Sequence, residues 1–309
     1  MEKQSYRVHM TFFVATLLLT IGLKADAQTK PETSIKTLTL GVIFQDPRAP
    51  VEEHFRSLVG YAARKLSPTG DTKGTVVVAP SAGQLMKLLE EQRVDFYMES
   101  PHPTYLINRL GTARLLLRRW KGGIAEYHSL IFAAKERGIA RLEDLRGKFI
   151  AFEDPGSTSG YFLPKLLLLK KGFSVVEKPS LGAKVSAGEI GYTFAGTDKN
   201  LLNLVLQNKV AAGAFSNDDH ASLDEKSKAA IAILAESEPL PRHLVSVRKD
   251  LPERIIKRLK EILLSMHQDD EGQKILGQTG NTTKFDALPG GEEVVRRKLV
   301  ELYRPRGNK

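Results

Sequence analysis

Lys148-Phe149-Ile150-Ala151-Phe152-Glu153-Asp154-Pro155-Gly156-Ser157-Thr158-Ser159-Gly160-Tyr161-Phe162-Leu163-Pro164 is the stretch whose reading decides the fold. It opens on an apolar run of strand length (KFIAF) and passes through turn formers and hydroxyl residues. It then enters a segment, Ser159–Lys171, with leucines at helical spacing. A strand that turns directly into a helix is one unit of a parallel sheet with covering helices. Within the turn, Ser157, Thr158 and Ser159 stand in a row between Gly156 and Gly160. Such a turn can aim hydroxyls and the open N–H groups of a helix N-terminus at one point, where partial positive charge suits an oxyanion or a carboxylate. The same residues also suit a plain helix cap, and the spacing leaves both readings open. No Gly-Lys-Ser/Thr follows the glycines, so this is not a nucleotide-binding P-loop.

Working outward, the same grammar recurs toward the N-terminus. Leu38–Phe44 reads as a buried strand, and Val51, Phe55, Leu58, Val59, Ala62 and Leu66 follow at helical spacing. Thr75–Ala79 is a β-branched run, Ser81 suits the N-cap of a helix reaching to about Gln92, and Val94–Met98 is the next strand. A proline-rich loop leads from it to a short helix near Tyr105–Leu110, and Ala113–Arg118 and His128–Ala134 are strand-like. Beyond the central stretch come a strand at Phe173–Val176, a helix at Asn200–Asn208 and a strand at Ala211–Phe215. Ile231–Leu234 and Leu244–Val247 bring the chain back toward the first unit. Helix Pro252–His267 then buries one apolar stripe, and Leu299, Leu302 and Tyr303 dock a final helix. Two strand–helix series with a return predict an α/β protein of two lobes, with mixed, mostly parallel sheets and a cleft between them. The expected division is a leader at 1–27, a first lobe at 28–136 that resumes at 238–309, and a second lobe at 137–237.

Composition narrows the function. The chain of 309 residues is 41% hydrophobic and 27% charged, with a formal net charge of +10. That balance favours anionic partners, but the basic residues are scattered over the chain, and nucleic acid is not expected as a partner. Cysteine is absent, which removes thiol catalysis, thiolate metal sites, disulfides and a lipid-modified cysteine. Lys3 and Arg7 precede an apolar run at Thr11–Leu23, and Ala25-Asp26-Ala27 supplies the small residues of a signal-peptidase site. The run is too short to span a bilayer, so a cleaved leader and a periplasmic protein are expected. His102, His128, His220 and His243 show no zinc-type spacing, and Ser157 lacks a nucleophile elbow. No metal, cofactor or catalytic set is expected, and the protein is read as a monomer that is not an enzyme.

The Asp154-Pro155-Gly156-Ser157-Thr158-Ser159-Gly160 run, followed by apolar residues and Pro164, is preceded by Leu142-Glu143-Asp144-Leu145-Arg146-Gly147-Lys148. Together they resemble the phosphonate/phosphite/phosphate-binding branch of type II periplasmic solute-binding proteins. The likeness continues at Val94-Asp95-Phe96, Ala195-Gly196 and Leu240-Pro241. It implies the type II periplasmic-binding-protein architecture, a hinge of two crossing segments, and a phosphorus oxyanion held by Ser157, Thr158 and Ser159. It also implies delivery to the membrane permease of an ABC transporter. Several positions depart from that family. Thr197 and Asp198 stand where a His usually follows the glycine, and Glu99 and Ser100 where an aromatic and a Gly are common. Asp219, with Asp218, keeps an acidic position of the second lobe. Arg242 and His243 lie near the returning strand, where relatives that bind aminophosphonates place acidic groups. Gln45, Arg48 and Tyr105 lie on first-lobe loops that can cover a ligand; a core or hinge role is an equal reading for Tyr105, and a solvated one the better for Arg48. The alternative function is a sensory protein of the same fold, reporting a small anion to a membrane histidine kinase or chemoreceptor. Exported material is expected to begin at Gln28, or its cyclised form, by intact mass; an uncleaved chain in the membrane fraction would contradict the leader.

Overall fold

The computed structural model describes Met1 and residues 35–44, 51–67 and 69–304. The expected leader and its cleavage point, and the loop residues Gln45 and Arg48, lie outside the described residues. The first lobe opens with β1 (Thr37–Ile43), α1 (Val51–Leu66), β2 (Lys73–Ala79), α2 (Ala82–Glu90), β3 (Phe96–Glu99), α3 (Pro101–Asn108) and β4 (Ala113–Lys121). A two-residue strand, β5 (Glu126–Tyr127), leads into β6 (Ser129–Ala134) and β7 (Phe149–Phe152). A π-type turn, Thr158–Phe162, then starts α4 (Leu163–Lys170), and β8 (Ser174–Glu177), β9 (Glu189–Phe194), α5 (Asp198–Leu206), β10 (Ala212–Ser216), α6 (Asn217–Ala221), α7 (Glu225–Ala230) and β11 (Ile231–Glu236) follow. The chain returns through β12 (Leu240–Pro241) to β13 (His243–Arg248), α8 (Glu253–Ser265), α9 (Asp270–Gln278), β14 (Thr282–Asp286) and α10 (Glu292–Tyr303).

The strands form two six-stranded sheets, one per lobe, ordered β14-β4-β13-β3-β1-β2 and β11-β6-β10-β7-β9-β8. In the first, β1 runs parallel to β2 and β3, and the returning β13 lies antiparallel between β3 and β4. In the second, β7, β8, β9 and β10 are parallel neighbours, and β6 and β11 close one edge antiparallel. The strand Ser129–Ala134, which a boundary at 136/137 leaves with the first lobe, is hydrogen-bonded within the second sheet. The first crossing therefore lies between Lys121 and Ser129. The second lies between Glu236 and His243, and the two are tied by β5–β12, which pairs Leu240 with Tyr127 and Pro241 with Glu126. Sequence periodicity does not reveal β9 and β14, whose short, polar-interrupted runs carry little alternation.

Packing explains the near-continuous apolar character of the central strands. Leu38, Leu40 and Val42 of β1 face α1, α8 and α9, in one core with Leu58, Ala62, Leu259, Leu263 and Leu276. The opposite face of that sheet carries α2 and α3 through Leu85, Leu88, Tyr97 and Ile107, and α10 through Val295 and Leu299. Both faces are covered, so the strands show no polar side. In the second lobe, Ile150, Phe152, Leu168 and Tyr192 fill one face and Phe132, Leu201, Val205 and Phe215 the other.

Two glycines at the α1–β2 contact allow a direct check of this packing. A Cβ on Gly74 would lie 2.6 Å from the carbonyl carbon and oxygen of Val59, which is helix backbone and cannot rotate aside. A Cβ on Gly60, in α1 itself, would meet only the far end of Arg64 at 3.7 Å. Gly74→Ala is expected to lower stability by about 1–3 kcal/mol through overpacking, whereas Gly60→Ala should raise it by about 0.5–1 kcal/mol through helix propensity. Urea melts of the two variants check both signs.

Candidate functional site

The C-terminal ends of the parallel strands in both sheets converge on one cavity of about 820 Å³ between the lobes. This is where α/β sheets place ligands, because loops and helix N-termini gather at that edge. The first lobe contributes Glu99 and Ser100 after β3, residues 80–83 at the start of α2, and Lys121 at the end of β4. The second contributes residues 153–159 after β7, residues 196–198 after β9, and Asp219 after β10. Tyr127, Arg242 and His243 come from the crossing segments.

Within the hydroxyl loop, each of the three residues has a different task. Ser157 is the cap of the π-type turn, its Oγ accepting from Gly160 N at 2.9 Å. Thr158 is 2% exposed and joins the lobes: its Oγ1 accepts from His102 N at 2.8 Å and donates to Ser100 Oγ at 2.9 Å. Ser159 accepts through its carbonyl from Ser129 Oγ at 2.6 Å, and the residue lines the cavity. Gly160 is required by close approach, since a Cβ there would lie 2.6 Å from Glu153 Cβ. The capping and ligand readings of this loop therefore meet in one place, and the only proton of the Thr158 hydroxyl is directed to Ser100 rather than to the cavity.

The residues expected from the sequence gather there with one exception. Glu99, Ser100, Ser157, Thr158, Ser159, Thr197, Asp198, Asp219 and His243 all line the cavity. Tyr105 does not; the cavity face of α3 carries Pro103 and Leu106. Tyr105 lies on another side of that helix turn, where its ring stacks on Tyr303 of α10 with centroids 3.5 Å apart. Tyr303 also stacks on Phe162 of the second lobe at 4.2 Å and on His102 at 5.7 Å, forming an aromatic seam behind the loop. Lys121, Tyr127, Glu153 and Asp154 also line the cavity, beyond the residues that sequence reasoning reaches. Glu153 and Asp154 sit in the diagnostic stretch itself, where their acidity is the one signal of a role.

Thr197 caps α5, its Oγ1 accepting from Asn200 N at 3.2 Å, and Asp198 follows as the first helical residue. Burial, then the neighbouring Glu153, Asp219 and Asp154, push the Asp198 carboxyl up to about 7. Burial likewise raises Glu153. Asp219 accepts from Ser216 N at 3.2 Å and from Ser216 Oγ, closing a capping box. Arg242 donates from Nε to Asp218 Oδ2 at 2.9 Å and lies over the Tyr127 ring at 4.3 Å. Burial and the cations Arg119, Arg242 and Lys121 hold the His243 imidazole well below its ordinary value. Among the described residues no group of three or more His, Asp or Glu is placed to hold a metal ion, and no helix is long and apolar enough to cross a membrane.

Glu99 accepts from Ile43 N at 3.1 Å, and burial pushes its carboxyl up to about 7. The folded state thus holds this proton more tightly than the unfolded chain does, so the contribution of Glu99 to stability is lost as pH rises through about 7. Glu99→Gln keeps the acceptor for Ile43 N and removes the titration. It should be more stable than the parent by about 1–2 kcal/mol at pH 8, with the gap narrowing as pH falls and closing only below the ordinary value of 4.5, as read from paired thermal melts.

Comparison with known proteins places this geometry. The 30%-identical protein XAC2383 from Xanthomonas citri, solved bound to chloride ion and also bound to ATP, superposes with a TM-score of 0.79, over 87% of this chain and 96% of that one in the chloride form. PhnD1 from Prochlorococcus marinus, solved with methylphosphonate, shares the fold at 16% identity with a TM-score of 0.63, over 86% of this chain and 97% of that one. The Phosphate-import protein PhnD of Mycolicibacterium smegmatis is 26% identical over 215 residues, spanning 65% of this chain and 64% of that protein's length. Residues 40–289, from β1 to the loop after β14, match the phosphonate periplasmic substrate-binding proteins of ABC transporters (Phosphonate-bd), and this chain belongs to that family.

Proposed function

We propose that the protein captures a small oxyanion-bearing solute of the phosphonate, phosphite or phosphate class in the periplasm and presents it to the permease of an ABC importer. The observation that carries this reading is the cavity itself, lined from both sheets and from the two crossing segments that β5–β12 ties together. A ligand that touches both lobes at once draws them together about such crossings. Capture by closure is what the arrangement supports, because the polar groups that line the cavity come from many elements of both lobes. The name of the mycobacterial relative, a phosphate-import protein, supports an oxyanion as cargo. The residues proposed to meet the cargo are Glu99, Ser100, Ser159, Thr197, Asp198, Asp219 and His243, with Ser157 and Thr158 shaping the wall between them. The protein acts as a monomer in this reading, and the sensory alternative gains no support from these relatives.

A thermal-shift screen with phosphate, phosphite, methylphosphonate, sulfate and acetate tests the reading. A cognate anion at one hundred times its Kd should stabilise the protein by about 2.7 kcal/mol, and small-angle scattering should show a smaller radius of gyration with that anion bound. A screen without a stabilising phosphorus oxyanion would overturn it.

A further inference from the structure

Outside the cavity, rings from both lobes meet in one stack. His102 and Tyr105 stand on α3 and Tyr303 ends α10, all in the first lobe, whereas Phe162 closes the π-type turn of the second. The His102 and Tyr303 rings lie 5.7 Å apart and within 4° of parallel, and the Tyr303 hydroxyl meets His102 Nδ1. Together they make a hydrogen-bonded platform. Phe162 packs against both of its rings, with centroids 4.2 Å from Tyr303 and 4.7 Å from His102 and interplanar angles of 14° and 16°. Tyr105 backs Tyr303 at 3.5 Å, and Tyr161 meets the His102 ring edge-on at 6.4 Å. Contacts of this kind contribute beyond the apolar area they bury.

Each side of this stack is fixed to its own lobe. Helix α10 is held on the first lobe by Val295 and Leu299, which pack with Leu115, Leu244 and Leu288. Lys298 Nζ also donates to Pro239 O of the second crossing at 2.9 Å, so α10 runs beside the segments about which the lobes turn. On the other side, Phe162 N donates to Ser157 O at 3.0 Å, which ties the ring to the hydroxyl loop. The two hydrogen bonds of Thr158, to His102 N and Ser100 Oγ, run between the same elements. A second lobe that swings open about the crossings must draw Phe162 off its platform and break both bonds. None of the four stacked rings lines the cavity. Helix α10 also begins at Glu292, beyond the residues 40–289 that match the family.

We infer that Tyr303 is an interlobe clasp, which grips Phe162 and biases the protein toward the closed arrangement before any cargo arrives. Helix α10 then acts as a third tie between the lobes, made by packing and not by the chain itself. Such a tie sets the fraction of closed protein without touching what the cavity holds, so it acts alike on every cargo. The inference depends on the two lobes and their crossings and not on the nature of the cargo, and its test needs none.

The chain has no cysteine, so Gln84→Cys and Lys199→Cys give two unique spin-label sites. Both residues are exposed and stand in the first turns of α2 and α5, whose leading residues line the cavity from opposite lobes. Electron–electron distance measurements are made on the labelled protein in buffer free of phosphorus and sulfur oxyanions. Tyr303→Leu and Phe162→Leu should each raise the ratio of long to short distances by about three- to tenfold. The double variant should open no further than Phe162→Leu alone, because the two rings make one shared contact. Tyr303→Phe keeps the stack and should stay within about twofold of the parent. Thermal melts confirm that each variant is folded, and Phe162→Leu decides the matter if Tyr303→Leu does not fold. An unchanged distance distribution in a folded variant overturns the inference, since Tyr303 then only fills the first lobe. A double variant that opens by the product of the two single effects overturns it as well.

Discussion

The insertion of β13 between β3 and β4 is the constraint on which the rest of the molecule depends. A sheet with that gap open would leave the backbone of two central strands without hydrogen-bond partners, which is costly in a buried layer. Only the returning chain fills it, so the first lobe is complete only after the second has been traversed. The insertion is anchored by charge as well as by the ladder: Arg248 at the end of β13 donates from Nε to Asp95 Oδ1 at 3.1 Å, and Asp95 Oδ2 accepts from Thr39 N of β1 at 2.7 Å. One buried carboxylate thus joins the returning strand to the first.

That topology also builds the site. Because the chain must cross twice, the crossings lie side by side and pair through β5 and β12, at the same edge where the parallel strands of both sheets end. Arg242 and His243 enter the cavity as the last steps of the second crossing and the first of β13. Helix α10, docked on the first lobe through Val295 and Leu299, brings Tyr303 against Phe162 of the second lobe. The hydroxyl loop is held between these elements, and Thr158 couples it to the start of α3. The features that shape the cavity are therefore consequences of how the sheet is completed.

Much of the fold was legible because it is written in local patterns. The strand at 149–152 and the helix after it follow from an apolar run, turn formers and a leucine-rich helical segment, and the loop between them carries the family's most specific residues. The site was legible in part. Glu99, Ser100, Thr197, Asp198 and His243 were reached through positions at which this chain departs from related sequences and Asp219 through one that it keeps, and each lines the cavity. Glu153, Asp154 and Lys121 were not legible, because a charged residue at a strand end looks the same in sequence whether it meets solvent or a cleft. For Tyr105 a ligand-covering role and a core or hinge role stayed equal readings, because a single aromatic on a short helix gives no phase from which its direction can be read, and the structure stacks it on Tyr303.

The amino-acid sequence by itself determined the α/β class, the order of most elements and the presence of a hydroxyl-rich loop at a helix start. These depend on side-chain period, capping and turn chemistry, all of which act over a few residues. Only the tertiary structure decided that β6 belongs to the second sheet, that Tyr303 stacks on Tyr105 and Phe162, and that four carboxylates, Lys121 and Arg242 line one cavity. Each of these is a meeting of residues far apart in the chain, fixed by which buried backbone groups must find partners and which surfaces must be covered, and no local period encodes it.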